Sequence, residues 1–230
     1  MVKPFRRHDF DLFTPDRVKD PDYDGPRLEL KRKLKGWGEA ARARIRQETG
    51  LELKVQTSLH RPYRHNRWRV DSQRVLLTAT AGQKAGLERL LGKAFKSDVA
   101  SGVVQMTIGL AISRPGLETA LRVHPGAWWD GAAWEKAASA APDRLVALLR
   151  ALPPDFALAA GGDPAACAGL TAATLPGVLR RYRPAEHWLT LGRHHPREAM
   201  IEGLPDQEEL LLEDLAALAP PYGLVKEYAP

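Results

Sequence analysis

Leu51-Glu-Leu-Lys-Val-Gln-Thr-Ser-Leu59, His60-Arg-Pro-Tyr-Arg-His-Asn-Arg-Trp-Arg-Val-Asp-Ser-Gln73 and Arg74-Val-Leu-Leu-Thr-Ala-Thr80 run on without a break, and their reading decides the fold. In the first segment Leu51, Leu53, Val55, Thr57 and Leu59 alternate with Glu52, Lys54, Gln56 and Ser58. A period of two residues is that of a strand with one face buried and the other wet. The third segment is apolar and partly β-branched, which suits a second strand. The middle segment is an excursion dense in His60, Arg61, Arg64, His65, Arg67 and Arg69, with Tyr63 and Trp68 interleaved.

Elements of both kinds flank this hairpin. Upstream, Asp24-Gly25-Pro26 has the acceptor and first-turn proline of a helix start, and Leu30, Leu34, Trp37, Ala41 and Ile45 form one helical stripe to about Thr49. Gly36 and Gly38 predict a weak point in that helix, and Gly50 suits its C-terminal cap. Before it, residues 1–26 read as a polar arm anchored to the body by Phe5, Phe10, Leu12 and Phe13.

Downstream, Gln83 to Lys96 has helical spacing, with Leu87, Leu90, Leu91 and Phe95 inward. Gly102 opens an alternating strand through Val104, Met106, Ile108, Leu110 and Ile112. A turn at Arg114-Pro115-Gly116 returns Leu117 to Val123 beside it. His124 to Gly131 reads as a loop, and Ala132 to Leu152 as a helix with Trp134, Leu145, Leu148 and Leu149 inside. Next come a short strand at Asp155 to Ala160, a turn at Gly161 to Pro164, and helices at Ala165 to Ala173 and from Leu175 through Tyr182. His187 to Leu191 reads as a strand and Gly192-Arg-His-His-Pro196 as a loop. After Leu204-Pro-Asp206, Gln207 to Leu218 is an amphipathic acidic helix with Leu211, Leu215 and Leu218 inward, stopped by Pro220-Pro221 ahead of a tail. The expected architecture is α+β: a mostly antiparallel sheet packed by several helices, as a single domain over 27–230 with the arm packed on it.

Composition narrows the function classes. The 230 residues are 44% hydrophobic and 27% charged, ordinary for a globular protein. No run approaches eighteen apolar residues, so no membrane partner is expected. The single cysteine, Cys167, precludes an internal disulfide and, with a start that lacks an apolar leader, leads to an expected cytoplasmic location. A net charge of +6 favours anionic partners.

The strongest candidate site is the loop itself. Arginine supplies planar, bidentate contacts to phosphate and rings supply platforms for bases. The predicted ligand-binding residues are therefore His60, Arg61, Tyr63, Arg64, His65, Arg67, Trp68 and Arg69, and the predicted ligand is anionic and phosphate-bearing, nucleic acid included. The competing reading makes Trp68 and Tyr63 the packing of the hairpin and the arginines its solvated rim. Lys31, Lys33, Lys35, Arg42 and Arg46 either extend the basic surface or form a solvated helix face.

Other chemistry is thinner. Glu52-Leu53-Lys54 has the form of half a nuclease metal motif, which would make the protein a hydrolase, but no acidic residue stands on a preceding strand. His194-His195 lie on opposite sides of an extended segment and do not chelate one ion readily. Cys167 sits among alanines with no base nearby, Gly161-Gly162 forms no phosphate loop, and Glu208, Glu209, Glu213 and Asp214 read as solubility charge. No cofactor or metal is expected; the rival reading is a hydrolase that uses histidines or a carboxylate in the same cleft, with or without a metal, and its catalytic residues are not identified by the sequence. A third class is an interaction module for an acidic protein partner.

The order of segments also resembles a known group. Phe10-x-x-Phe13, the long helix, the strand entering a loop with His60, His65 and Arg67 followed by Trp68, and the later alternating strand with its tryptophan loop are similar to the YktB-like uncharacterised bacterial proteins. Arg180-Arg-Tyr-Arg-Pro184 and Leu218-Ala-Pro-Pro-Tyr222 resemble a related family. The residues between His60 and Trp68 depart from that pattern. The resemblance implies an α+β sheet fold and no particular activity.

Overall fold

The first long helix forms because its apolar residues recur on one stripe, and the sheet forms where the period changes to two. The computed structural model describes residues 2–92, 94, 96, 104–202 and 206–229, with the backbone alone of His65. Phe95, Gly102, Leu204 and Pro205 lie outside the described residues.

In chain order the helices are α1 (Arg7–Asp11), α2 (Asp24–Thr49), α3 (Ala81–Leu91), α4 (Trp128–Ala140), α5 (Pro142–Arg150), α6 (Leu175–Leu179), α7 (Arg197–Glu202), α8 (Gln207–Ala217) and α9 (Ala219–Glu227). The strands are β1 (Lys54–Thr57), β2 (Ser72–Thr78), β3 (Met106–Ser113), β4 (Gly116–Val123), β5 (Ala157–Ala160), β6 (Ala165–Ala166) and β7 (Leu189–Pro196). The described strands form one sheet in the order β1-β2-β3-β4-β7-β5-β6, antiparallel throughout. The fold is α+β, as the patterns predict.

Register separates two faces, because residues directly opposite in an antiparallel ladder share a side. Val75 faces Leu110, Leu110 faces Thr119, and Thr119 faces Arg193. With Gln73, Leu77, Ile108, Ile112, Leu117, Leu121, Leu189, Leu191 and His195, these side chains make the covered face. The helices pack there, and Phe5, Trp37, Trp134, Leu149, Leu211 and Leu215 join the same buried cluster. Gly38 lets α2 close on the sheet: a Cβ there would stand 2.4 Å from Val75 Cγ2 and 2.8 Å from Val55 Cγ1. α2 runs on unbroken through the weak point at Gly36 and Gly38. Gly50 caps it in the left-handed region at φ 72°.

The arm is held by more than its aromatic residues. Phe5 stacks on Trp37 at 5.4 Å between centroids, and the Trp37 Nε1–H donates to Lys3 O at 3.0 Å. Fully buried Arg27 donates to the carbonyls of Arg17, Val18 and Asp20, fixing the segment that leads into α2.

Several local expectations are corrected. Ala132 to Leu152 is two helices, because Pro142 begins a new one at its first position. Pro220 and Pro221 likewise start α9 rather than ending in a tail. The Ala165 to Ala173 stretch pairs with β5 and then makes a single 3-10 turn, so strand pairing overrides alanine's helix preference. Gly192 to Pro196 is strand, not loop, paired along β4. Among the described residues no helix is long and apolar enough to cross a membrane.

Candidate functional site

The loop at 58–71 is tied at both ends. Ser58 N–H donates to Arg74 O at 2.9 Å and Ser58 Oγ accepts from Arg74 N at 3.0 Å, continuing the β1–β2 ladder. Buried Val70 donates its N–H to Val18 O at 2.8 Å, which pins the returning limb to the arm. Inside the loop Asn66 is the staple: its Oδ1 accepts from Tyr63 N at 2.6 Å and its Nδ2 donates to Arg61 O at 2.9 Å. This scaffold holds Arg67 and Trp68 at φ 54° and 58°. Two consecutive left-handed non-glycine residues cost about 1–2 kcal/mol each, so the loop keeps a strained shape while presenting exposed side chains.

The eight predicted residues separate. Arg61, Arg64 and Arg67 are exposed and make no ion pair among the described residues, with Arg61 over the Tyr63 ring at 6.0 Å. Trp68 is 62% exposed and tilts against Tyr63 at 6.1 Å. His60 turns towards α2: burial, then the charge of Lys31, pushes its pKa below 6.5, and its Nδ1 is buried without a partner. The His65 side chain lies outside the described residues. Among the described side chains of the eight, Arg69 alone reaches the cleft beneath the loop, where it pairs with Asp71 at 2.6 Å.

That cleft, of about 450 Å³, lies on the second, open face of the sheet. Its floor is Arg74 and Leu76 of β2. One wall is Gln56 to Leu59, and the other is His124 and Trp188, which flank the ends of β4 and β7. Asn66 and residues 69–72 close it from the loop side. Alternation puts Arg74 here, since its neighbours Gln73 and Val75 face the core. Beyond the cleft the open face carries small side chains, Gly109, Ala111, Ala120 and Gly192, with Glu118 and Arg122 among them.

Arg74 is the unusual member. Its guanidinium is half-buried and makes no hydrogen bond or ion pair among the described residues. Burial, and then the like charge of Arg122, lowers its pKa, while Glu118 opposes them. Glu118 is already engaged by Arg122 in a direct ion pair. The lining thus carries two guanidiniums, Arg69 and Arg74, against one carboxylate, Asp71, an arrangement that leaves room for an anion.

The remaining candidates lie elsewhere in the fold. His194 and His195 point to opposite faces, as extended chain requires. His195 is buried, with Nε2 2.7 Å from Asp214 Oδ2. Thr119 Oγ1 donates to the same carboxylate oxygen at 2.8 Å, and Arg193 Nη1 donates to Asp214 Oδ1 at 3.3 Å. Asp214 therefore is not surface charge: it clamps α8 to β4 and β7. Threonine, histidine and aspartate meet as in a nucleophilic triad, but Thr119 and Asp214 approach the same ring nitrogen, whereas a triad uses both nitrogens. Glu52 precedes β1 and pairs with Arg46 at 2.8 Å. Cys167 is buried, with its thiol pushed up to about 12 by desolvation. No group of three His, Cys, Asp or Glu suited to a metal gathers among the described residues.

Compared with known family models and with curated proteins, the chain matches none, so its function has to be read from this geometry.

Proposed function

We propose that the protein binds a phosphate-bearing ligand in the cleft over β2, with the exposed arginines of the loop, Tyr63 and Trp68 extending the surface towards nucleic acid. The observation that carries the reading is Arg74. A cation held partly out of water without a partner is costly, and the cost is relieved by a ligand that brings the missing anion. Guanidinium is suited to this because its planar fork matches phosphate oxygens two at a time. Arg69 sits in the same cleft, and its partner Asp71 is exposed and free to yield to a competing anion. Such a site selects for charge and planarity and requires no chemistry of its own.

The test is calorimetric titration with pyrophosphate and with a short single-stranded oligonucleotide at two salt concentrations. Arg74→Gln weakens both by tenfold or more. Replacing Arg61, Arg64 and Arg67 together by serine leaves pyrophosphate binding in place and lowers the salt slope for the oligonucleotide by about 2, at roughly 0.7 for each phosphate no longer neutralised. Absence of pyrophosphate binding at low salt, or equal binding by Arg74→Gln, overturns the reading.

A further inference from the structure

The cleft's other walls bear on what the anion is attached to. Trp188 is 45% exposed although it directly precedes β7, and it meets His124 edge to face at 4.6 Å between centroids. His124 is itself fixed, because its Nδ1 accepts from Gly126 N at 2.8 Å. With almost half its surface in water, the indole has exposed area to offer a ligand, and its neighbour holds it at a set angle. Leu76 supplies an apolar floor beside it. Across the cleft, the half-buried Gln56 amide makes no hydrogen bond among the described residues. An amide of this kind offers one donor and one acceptor side by side, the pattern on the edge of a nucleobase.

Size agrees with these walls. A cleft of about 450 Å³ is of the order used for single small molecules. Resting on the anion-binding reading of this cleft, we infer that the ligand is a nucleoside phosphate: base on Trp188, base edge towards Gln56, phosphate on Arg74. The ring that matters is Trp188, contributed from the far end of the chain, and not Trp68, which does not line the cleft.

The test compares adenosine monophosphate, ribose 5-phosphate and inorganic phosphate on the full chain, by calorimetry and by tryptophan fluorescence. Adenosine monophosphate binds about ten- to a hundredfold more tightly than ribose 5-phosphate, the usual range for one stacked base. Trp188→Leu removes that difference, leaves ribose 5-phosphate affinity unchanged and keeps the melting temperature of the parent. Trp68→Ala leaves adenosine monophosphate affinity unchanged. Equal binding of the two sugar phosphates, equal weakening of both by Trp188→Leu, or loss of the base preference in Trp68→Ala overturns the inference while the anion site stands. Failure of all three ligands to bind removes the anion site as well, and the inference with it.

Discussion

The two faces of the sheet solve opposite problems with neighbouring residues. On the covered face the carboxylate of Asp214 is answered by His195, Thr119 and Arg193, and Gln73 Nε2 by the Arg27 carbonyl. On the open face Arg74, one residue along from Gln73, is half-buried and unanswered. Satisfied polar groups lock a core into one arrangement. An unsatisfied cation destabilises the free protein, and the proposed ligand would complete it. The contrast teaches which residues belong to the fold and which to recognition, and substitutions on each face test that division.

The largest effects belong to the covered face. Asp214→Ala leaves His195, Arg193 and Thr119 without their common partner and lowers stability by about 3–5 kcal/mol in urea unfolding. Trp37→Ala loses the Phe5 stack and the bond to Lys3 O and falls in the same range of about 3–5 kcal/mol. On the other side, Trp68→Ala is an exposed change and shifts stability by no more than about 0.5 kcal/mol. A Trp68→Ala protein as unstable as Trp37→Ala makes the loop a packing element and breaks the comparison.

The smallest effect concerns His60, at the border of the two regions. Its folded pKa lies below 6.5 because burial and Lys31 disfavour the charged ring. As pH falls through 6.5 the unfolded chain takes up the proton first, so stability declines, and it stops declining below the folded pKa. At pH values well above 6.5 both states are neutral and this contribution vanishes. His60→Gln therefore follows the parent above neutrality and becomes the relatively more stable protein in mild acid, measured as paired unfolding curves. A difference independent of pH refutes this account of His60.

Much of the fold was legible because it rests on local periods. Leu30, Leu34, Trp37, Ala41 and Ile45 announce α2, and alternation through Met106, Ile108, Leu110 and Ile112 announces β3. The site was less legible, because a strand's period says that two faces exist without saying which one the helices will cover. Arg74 looked like the first residue of an apolar strand, and Trp188 like part of another. Their meeting depends on strand order, with β7 inserted between β4 and β5. Asp214 passed as a solubility charge for the same reason: its partners His195 and Thr119 come from distant strands. A charged residue at the inward position of an amphipathic helix, one residue before Leu215, was the available signal. Pro142 does not interrupt the helical spacing around it, and Pro220 and Pro221 read as a stop, though all three also fit the first turn of a helix.

Arg74 also gives the most direct measurement of the central claim: the melting temperature of the parent and of Arg74→Gln, each with and without millimolar pyrophosphate. Without ligand, Arg74→Gln melts at or above the parent, because a half-buried and unpaired charge has been removed. With pyrophosphate the parent rises as mass action on the folded state requires, while Arg74→Gln stays where it was. An Arg74→Gln protein that melts below the parent and still rises with pyrophosphate would contradict the account, making Arg74 part of the fold and not of a binding site.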